Sequence, residues 1–226
     1  MTGPASADGA GPAMIGESGD AMLFQALYII AIIAEAMTAA LAAGRRAMDW
    51  VGVCLLGCVT ALGGGSMRDV LLGHYPLSWV AHPEYLAITA AAALFTIAIA
   101  RVMHHLRSLF LTLDAIGLVV FTVIGCNVAL EVELPFLVVI VSGMITGCAG
   151  GVLRDILCND VPLLFREELY ASVSVVAGVL YVGGLEAGLP HDPVMVAAMA
   201  IGLALRLMAI RYGWNMPKFV YTRELH

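Results

Sequence analysis

The stretch Gly63-Gly64-Gly65-Ser66-Met67-Arg68-Asp69 decides how this chain is read. It sits in the second half of a long apolar run. A near copy, Ala149-Gly150-Gly151-Val152-Leu153-Arg154-Asp155, follows 86 positions later in an equivalent run. Adjacent glycines in a hydrophobic helix remove side chains and helix propensity together, so they predict a break or kink. An Arg-Asp pair directly after each break is costly in hydrocarbon and is not expected to face lipid. One broken helix in each half of a duplicated membrane protein predicts a transport or conduction path lined by freed backbone.

Composition supports a membrane location. Of 226 residues, 61% are hydrophobic and only 12% are charged, against about 45–50% and about 25% in soluble domains. The net charge of −6 carries no basic nucleic-acid signature, and nucleic acid is excluded as a partner. Residues 1–20 are small and polar without Lys or Arg, which reads as a disordered tail rather than a secretory signal. The five cysteines, Cys54, Cys58, Cys126, Cys148 and Cys158, form no Cys-x-x-Cys and lie in or at the ends of apolar spans. They read as small buried hydrophobes.

A spanning helix needs about 20 mostly apolar residues. Seven segments meet that requirement: 22–43, 50–72, 85–103, 109–130, 135–157, 169–185 and 193–210. Arg45, Arg46, Arg101, Arg107 and Arg166 fall in the first, third and fifth connections. Arg206, Arg211, Lys218 and Arg223 fall in the C-terminal region. The tail and the even connections carry no Lys or Arg, which predicts an N-out, C-in multi-pass protein of the cell membrane. At the offset of 86, Gly57 matches Gly143, Thr60 matches Thr146, Leu71 matches Leu157, and Pro76-Leu77 match Pro162-Leu163. Three spans per copy make the second copy inverted. The predicted fold is all-α, with seven transmembrane helices in two inverted three-helix repeats plus a seventh, and kinks in the second and fifth. The units are a tail over 1–21, repeats over 22–107 and 108–188, and a last helix with a cytoplasmic tail over 189–226.

GGGSMRDVLLGHYP, the degenerate GGVLRD copy, AEAMTAALAAGRR, LDAIGLVVFTVIG and RYGWNMPKF resemble the bacterial branch of the trimeric intracellular cation channel family, which also carries a glycine-transporter name. The resemblance covers about residues 22–220. It implies a homotrimer embedded in membrane lipid. Each protomer would carry a pore, framed by the kinked second and fifth helices, that passes potassium and other monovalent cations. Ala149 stands where the first motif has Gly63, and Glu35 and Met37 occupy a stretch that is apolar in many relatives.

The candidate pore residues are Gly63, Gly64, Gly65, Gly150 and Gly151, whose carbonyls, with the hydroxyls of Thr60, Ser66 and Thr146, would replace part of a cation's hydration shell. Close packing through small residues is the competing reading, and it explains Gly57 and Gly143 well. Positions i and i+1 do not face each other on a helix. Arg68, Asp69, Arg154 and Asp155 are therefore expected to pair across the repeats or with freed carbonyls. Alternatively, the acids attract cations at the two mouths while the arginines gate. Glu35 supports two readings: a carboxylate on the path, or a neutral carboxyl group hydrogen-bonded to a neighbouring helix. Asp114 reads as an acid in the first turn of helix four, favoured by the helix dipole. His74, His104 and His105 read as interfacial polar residues, and Trp50, Trp79, Tyr85, Tyr212 and Trp214 as an aromatic belt. No cofactor and no resident metal is expected. Neither a phosphate-binding loop nor a catalytic constellation appears, so an enzyme is excluded. The alternative function is an alternating-access carrier of a small amino acid such as glycine.

Overall fold

The computed structural model describes residues 19–100, 106–166 and 169–214. Seven long helices dominate: α1 (Gly19–Arg45), α2 (Trp50–Leu72), α4 (Glu84–Ala100), α5 (Leu106–Glu131), α6 (Phe136–Leu157), α8 (Tyr170–Glu186) and α9 (His191–Tyr212). Two single turns, α3 (Ser78–Ala81) and α7 (Leu163–Arg166), follow α2 and α6. Neither turn was expected from the sequence, being too short to show a period. Among the described residues, five helices are long and apolar enough to cross a membrane. The other two, α4 and α8, have 17 residues each, about 26 Å of rise.

Local signals place the ends. Asp49 caps α2 by accepting from the Gly52 amide at 2.7 Å, one of the donors a helix start leaves unpaired. Gly73 ends α2 in the left-handed conformation, φ 68°, where a Cβ would be strained.

Each half builds the same set of neighbours. In the first, α1, α2 and α4 pack on one another; in the second, α5, α6 and α8 do. The halves join through α2 against α6 and α1 against α5, and α9 lies on α5 and α8. The core is sealed by α1 and α5: Ala31, Ile32 and Ala36 face Val119, Val123 and Ile124 in one apolar cluster. Cys126, Cys148 and Cys158 are buried and all five cysteines are free thiols.

Three expectations need correction. α2 and α6 run as uninterrupted helices through Gly63–Gly65 and Gly150–Gly151, so the glycines break neither helix and release no run of carbonyls. Asp114 lies two turns inside α5, which begins at Leu106, so a first-turn dipole does not account for it. Tyr85 is buried against Tyr28 at 4.9 Å between ring centroids; Trp50, Tyr212 and Trp214 are exposed near helix ends as a belt requires. The tail over 1–18, His104, His105 and the closing stretch from 215 lie outside the described residues.

Candidate functional site

The two motifs meet where α2 crosses α6. A methyl group on Gly64 would collide with the backbone carbonyl of Thr146, and one on Gly150 with the carbonyl of Thr60. The contact is reciprocal: each motif's glycine faces the threonine one turn earlier on the opposite helix. Gly63 meets the Leu153 side chain in the same interface. Bare backbone lets two helices approach this closely, so the close-packing reading explains Gly64 and Gly150. The glycine that follows each of these, Gly65 and Gly151, faces elsewhere. Around Gly65 the nearest atom is Arg68 Nη2, at 3.8 Å from where a Cβ would stand, and Gly151 faces Tyr170 of α8.

Two of the three hydroxyls donate to carbonyls of their own helices. Thr146 donates to Ser142 O at 2.7 Å, and Ser66 to Leu62 O at 2.7 Å while accepting from Trp79 Nε1 at 3.1 Å. The Thr60 hydroxyl is buried without a hydrogen-bond partner in the protein.

Both arginines fold back on their own neighbours, which overturns the expectation that adjacent residues cannot pair. Arg68 Nε and Nη2 donate to Asp69 Oδ1 at 2.9 and 2.7 Å. Arg154 Nε donates to Asp155 Oδ1 at 2.9 Å. The i, i+1 rule concerns short side chains projecting radially. A four-atom arm with a planar fork can turn back along the helix and present its edge to the next carboxylate. No ion pair joins Arg68 to Asp155 among the described residues.

Beyond that shared element the two sites differ. Asp69 also receives His74 Nδ1 at 3.2 Å and Ser78 Oγ at 3.4 Å. Arg68 borders a cavity of about 520 Å³ lined by Gln25, Tyr28, His74, Tyr85 and Ile124. It opens at the end of the molecule that carries the α2 C-terminus and the α4 N-terminus.

Arg154 is enclosed instead. Its Nη1 donates to Asp114 Oδ1 at 2.8 Å and to Thr38 Oγ1 at 2.9 Å, and lies 3.7 Å from Glu35 Oε2. Phe110 stacks on the guanidinium at 4.6 Å, and Asp155 Oδ2 accepts from the Leu163 amide at 2.8 Å, fixing the turn α7. One guanidinium thus gathers α1, α5 and α6. A methyl on Gly117 would collide with the Glu35 carboxyl group, so the Asp114–Gly117 pair of the LDAIG stretch has a defined task. Asp114 holds Arg154, and Gly117 makes room for Glu35. Sequence reasoning missed this three-helix gathering, and also Tyr170, whose ring lies under Arg206 of α9 at 4.8 Å. Among the described residues no group of three or more His, Cys, Asp or Glu is placed to hold a metal ion.

This arrangement has known relatives. A family model described as "Glycine transporter" matches residues 25–101 and 111–186. The inner membrane protein YadS of Escherichia coli K12 is 36% identical over 200 residues, 88% of this chain and 97% of YadS. A trimeric intracellular cation channel orthologue from Rhodobacter sphaeroides superposes with a TM-score of 0.82 at 32% identity, covering 85% of this chain and all of that one. A second solved channel of this type gives a TM-score of 0.81 at 33% identity, over 89% of this chain and all of its own. The chain spans nearly the whole length of each, with both motifs inside the matched segments, and it belongs to the bacterial branch of the trimeric intracellular cation channel family, the family that the glycine-transporter model describes.

Proposed function

We propose that this protein is a potassium-preferring monovalent cation channel, assembled as a homotrimer with one conduction path in each protomer. The observation that carries the reading is the α2–α6 crossing. Two bare glycine contacts close the centre of the molecule, with Arg68-Asp69 on one side and Arg154-Asp155 on the other. Buried ion pairs are costly away from water, and a path along which ions pass gives them a reason to be there. The cavity above Arg68 is the outer vestibule. The contact of Gly64 with Thr146 and of Gly150 with Thr60 is the shut constriction, which opens when α2 and α6 part.

The same reading takes seven membrane spans in two inverted triplets. Arg46, in the connection after α1, is paired with Asp160, in the connection after α6. Those are the first and fifth connections, which an N-out, seven-span path puts on the cytoplasmic face. At the other end Tyr181 of α8 donates to Asn127 of α5 at 2.8 Å and meets His191 of α9 at 2.9 Å. That joins the helix ends next to the fourth and sixth connections, which the same path puts on the outer face.

The test is reconstitution of the purified protein in a planar bilayer under an asymmetric KCl gradient. Unitary currents reversing near the potassium equilibrium potential are expected, and ion substitution ranks selectivity. A silent bilayer, with saturable glycine uptake by the same preparation in vesicles, would replace the channel by a carrier.

A further inference from the structure

The offset of 86 that relates the two motifs also relates their surroundings. Around Arg154 stand Phe110, Asp114, Glu35 and Thr38. The same offset carries these positions to Phe24, Tyr28, Phe121 and Ile124. The counterparts do gather beside Arg68. Phe24, Tyr28 and Ile124 line the cavity of about 520 Å³ that Arg68 borders. Phe121 meets the Tyr28 ring edge-on, with 6.0 Å between centroids. The phenylalanine is kept, while both acids and the hydroxyl of Thr38 are lost. One guanidinium thus has three carboxyl groups around it in the second half and, among the described residues, one carboxylate in the first.

The hydrogen bonds of Arg68 show which part of it is left over. Asp69 Oδ1 takes one edge of the guanidinium, from Nε and Nη2. Nη1, the atom that reaches Asp114 in Arg154, meets no hydrogen-bonding protein atom among the described residues, although Arg68 is only 3% exposed. A buried charged donor without an acceptor costs free energy, and the terminal fork of a guanidinium is shaped for a carboxylate. Asp69 is already matched by Arg68, His74 and Ser78. The cavity has aromatic walls from Phe24, Tyr28, Tyr75 and Tyr85, and its volume lies within the range of roughly 300–1,000 Å³ that small-molecule sites occupy. We propose that this cavity binds a small organic carboxylate with a flat, apolar body, whose carboxylate Arg68 holds as Arg154 holds Asp114. The body lies among the aromatic walls. Where the second half supplies the acid from its own chain, the first half takes it from solution. Binding is read without current, so this assignment does not rest on the conduction reading.

Ligand-observed NMR titration of the purified full chain in detergent tests it. Benzoate is the probe, benzamide its uncharged isostere, and protein-free micelles the blank. Benzoate is expected to bind at least about tenfold more tightly than benzamide, as a charge-assisted hydrogen bond provides. Tyr28→Asp installs in the first half the acid that the second half owns at Asp114. This variant should keep the fold and raise the benzoate dissociation constant at least about tenfold, because its own carboxylate takes Arg68. Arg68→Gln should weaken benzoate binding to the same extent. In the parent chain, which needs no variant, the absence of benzoate binding or equal binding of the two probes would overturn the assignment. Undiminished benzoate binding by a folded Tyr28→Asp or Arg68→Gln would also overturn it, since the anion would then sit elsewhere on the protein.

Discussion

Arg154 Nη1 donates to Asp114 Oδ1 at 2.8 Å across 40 positions of sequence, from α6 to α5. Around this bond Thr38 and Glu35 of α1 and Asp155 of α6 complete one sealed polar cluster. Removing one member of a buried ion pair leaves the other charge uncompensated and costs about 3–5 kcal/mol. Arg154→Met should therefore lower the melting temperature in detergent strongly, with Asp114→Asn intermediate. A double-mutant cycle on Arg154 and Asp114 should show coupling, whereas Arg68 and Asp155, each bonded within its own helix, should add independently. Coupling between Arg68 and Asp155 would restore the crossed pairing that the geometry rejects.

Gly64 and Gly65 are neighbours with opposite tolerances. An alanine at Gly64 meets the Thr146 carbonyl, which is backbone and cannot swing aside. Overpacking of that kind costs about 1–3 kcal/mol. An alanine at Gly65 finds only Arg68 Nη2 at 3.8 Å, ordinary contact, and regains up to about 1 kcal/mol of helix propensity. Thermal melts of the two variants should thus move in opposite directions or leave Gly65→Ala unchanged. Equal losses at both positions would mean that the motif is needed for its backbone conformation and not for the α2–α6 contact.

The helices and the repeat were legible because both are written in periodic hydrophobicity and in one constant offset. The use of the glycines was not. A helix break and a close crossing both ask for bare backbone, and the deciding atom, the Thr146 carbonyl, belongs to a partner helix 82 positions away. Nor could the repeat reveal the Arg154 cluster. At the offset of 86, Asp114 corresponds to Tyr28 and Glu35 to Phe121, so the acids have no counterpart in the other half. The aspartates after each arginine were visible, but their pairing depended on how far a guanidinium can fold back.

Gly117 and Glu35 give a steric prediction that does not depend on charge. The Glu35 carboxyl group lies against the bare Cα of Gly117, so Gly117→Ala forces it out of its place. The expected loss is about 1–3 kcal/mol, as for other overpacked positions. Glu35→Ala removes the obstacle, and the double variant should recover part of the loss. Glu35→Gln keeps the bulk and should recover none. Recovery with glutamine would show that the charge of Glu35, not its size, sets the need for glycine at 117.

The membrane topology can be read from two engineered thiols. Gly188 stands in the connection between α8 and α9, at a positive φ of 77°, with nothing within 4 Å of a Cβ position. Ala47 stands in the exposed connection between α1 and α2, beside Arg46 and its partner Asp160. The Lys and Arg distribution predicts that the Ala47 connection lies inside and the Gly188 connection outside. A membrane-impermeant maleimide should label Gly188→Cys in intact cells and Ala47→Cys only after permeabilisation. The parent chain, whose Cys126, Cys148 and Cys158 are buried, sets the background. Labelling of both from one side would put the two connections on the same face and end the seven-span reading. A clean reversal would keep seven spans but turn the cavity beside Arg68 toward the cytoplasm.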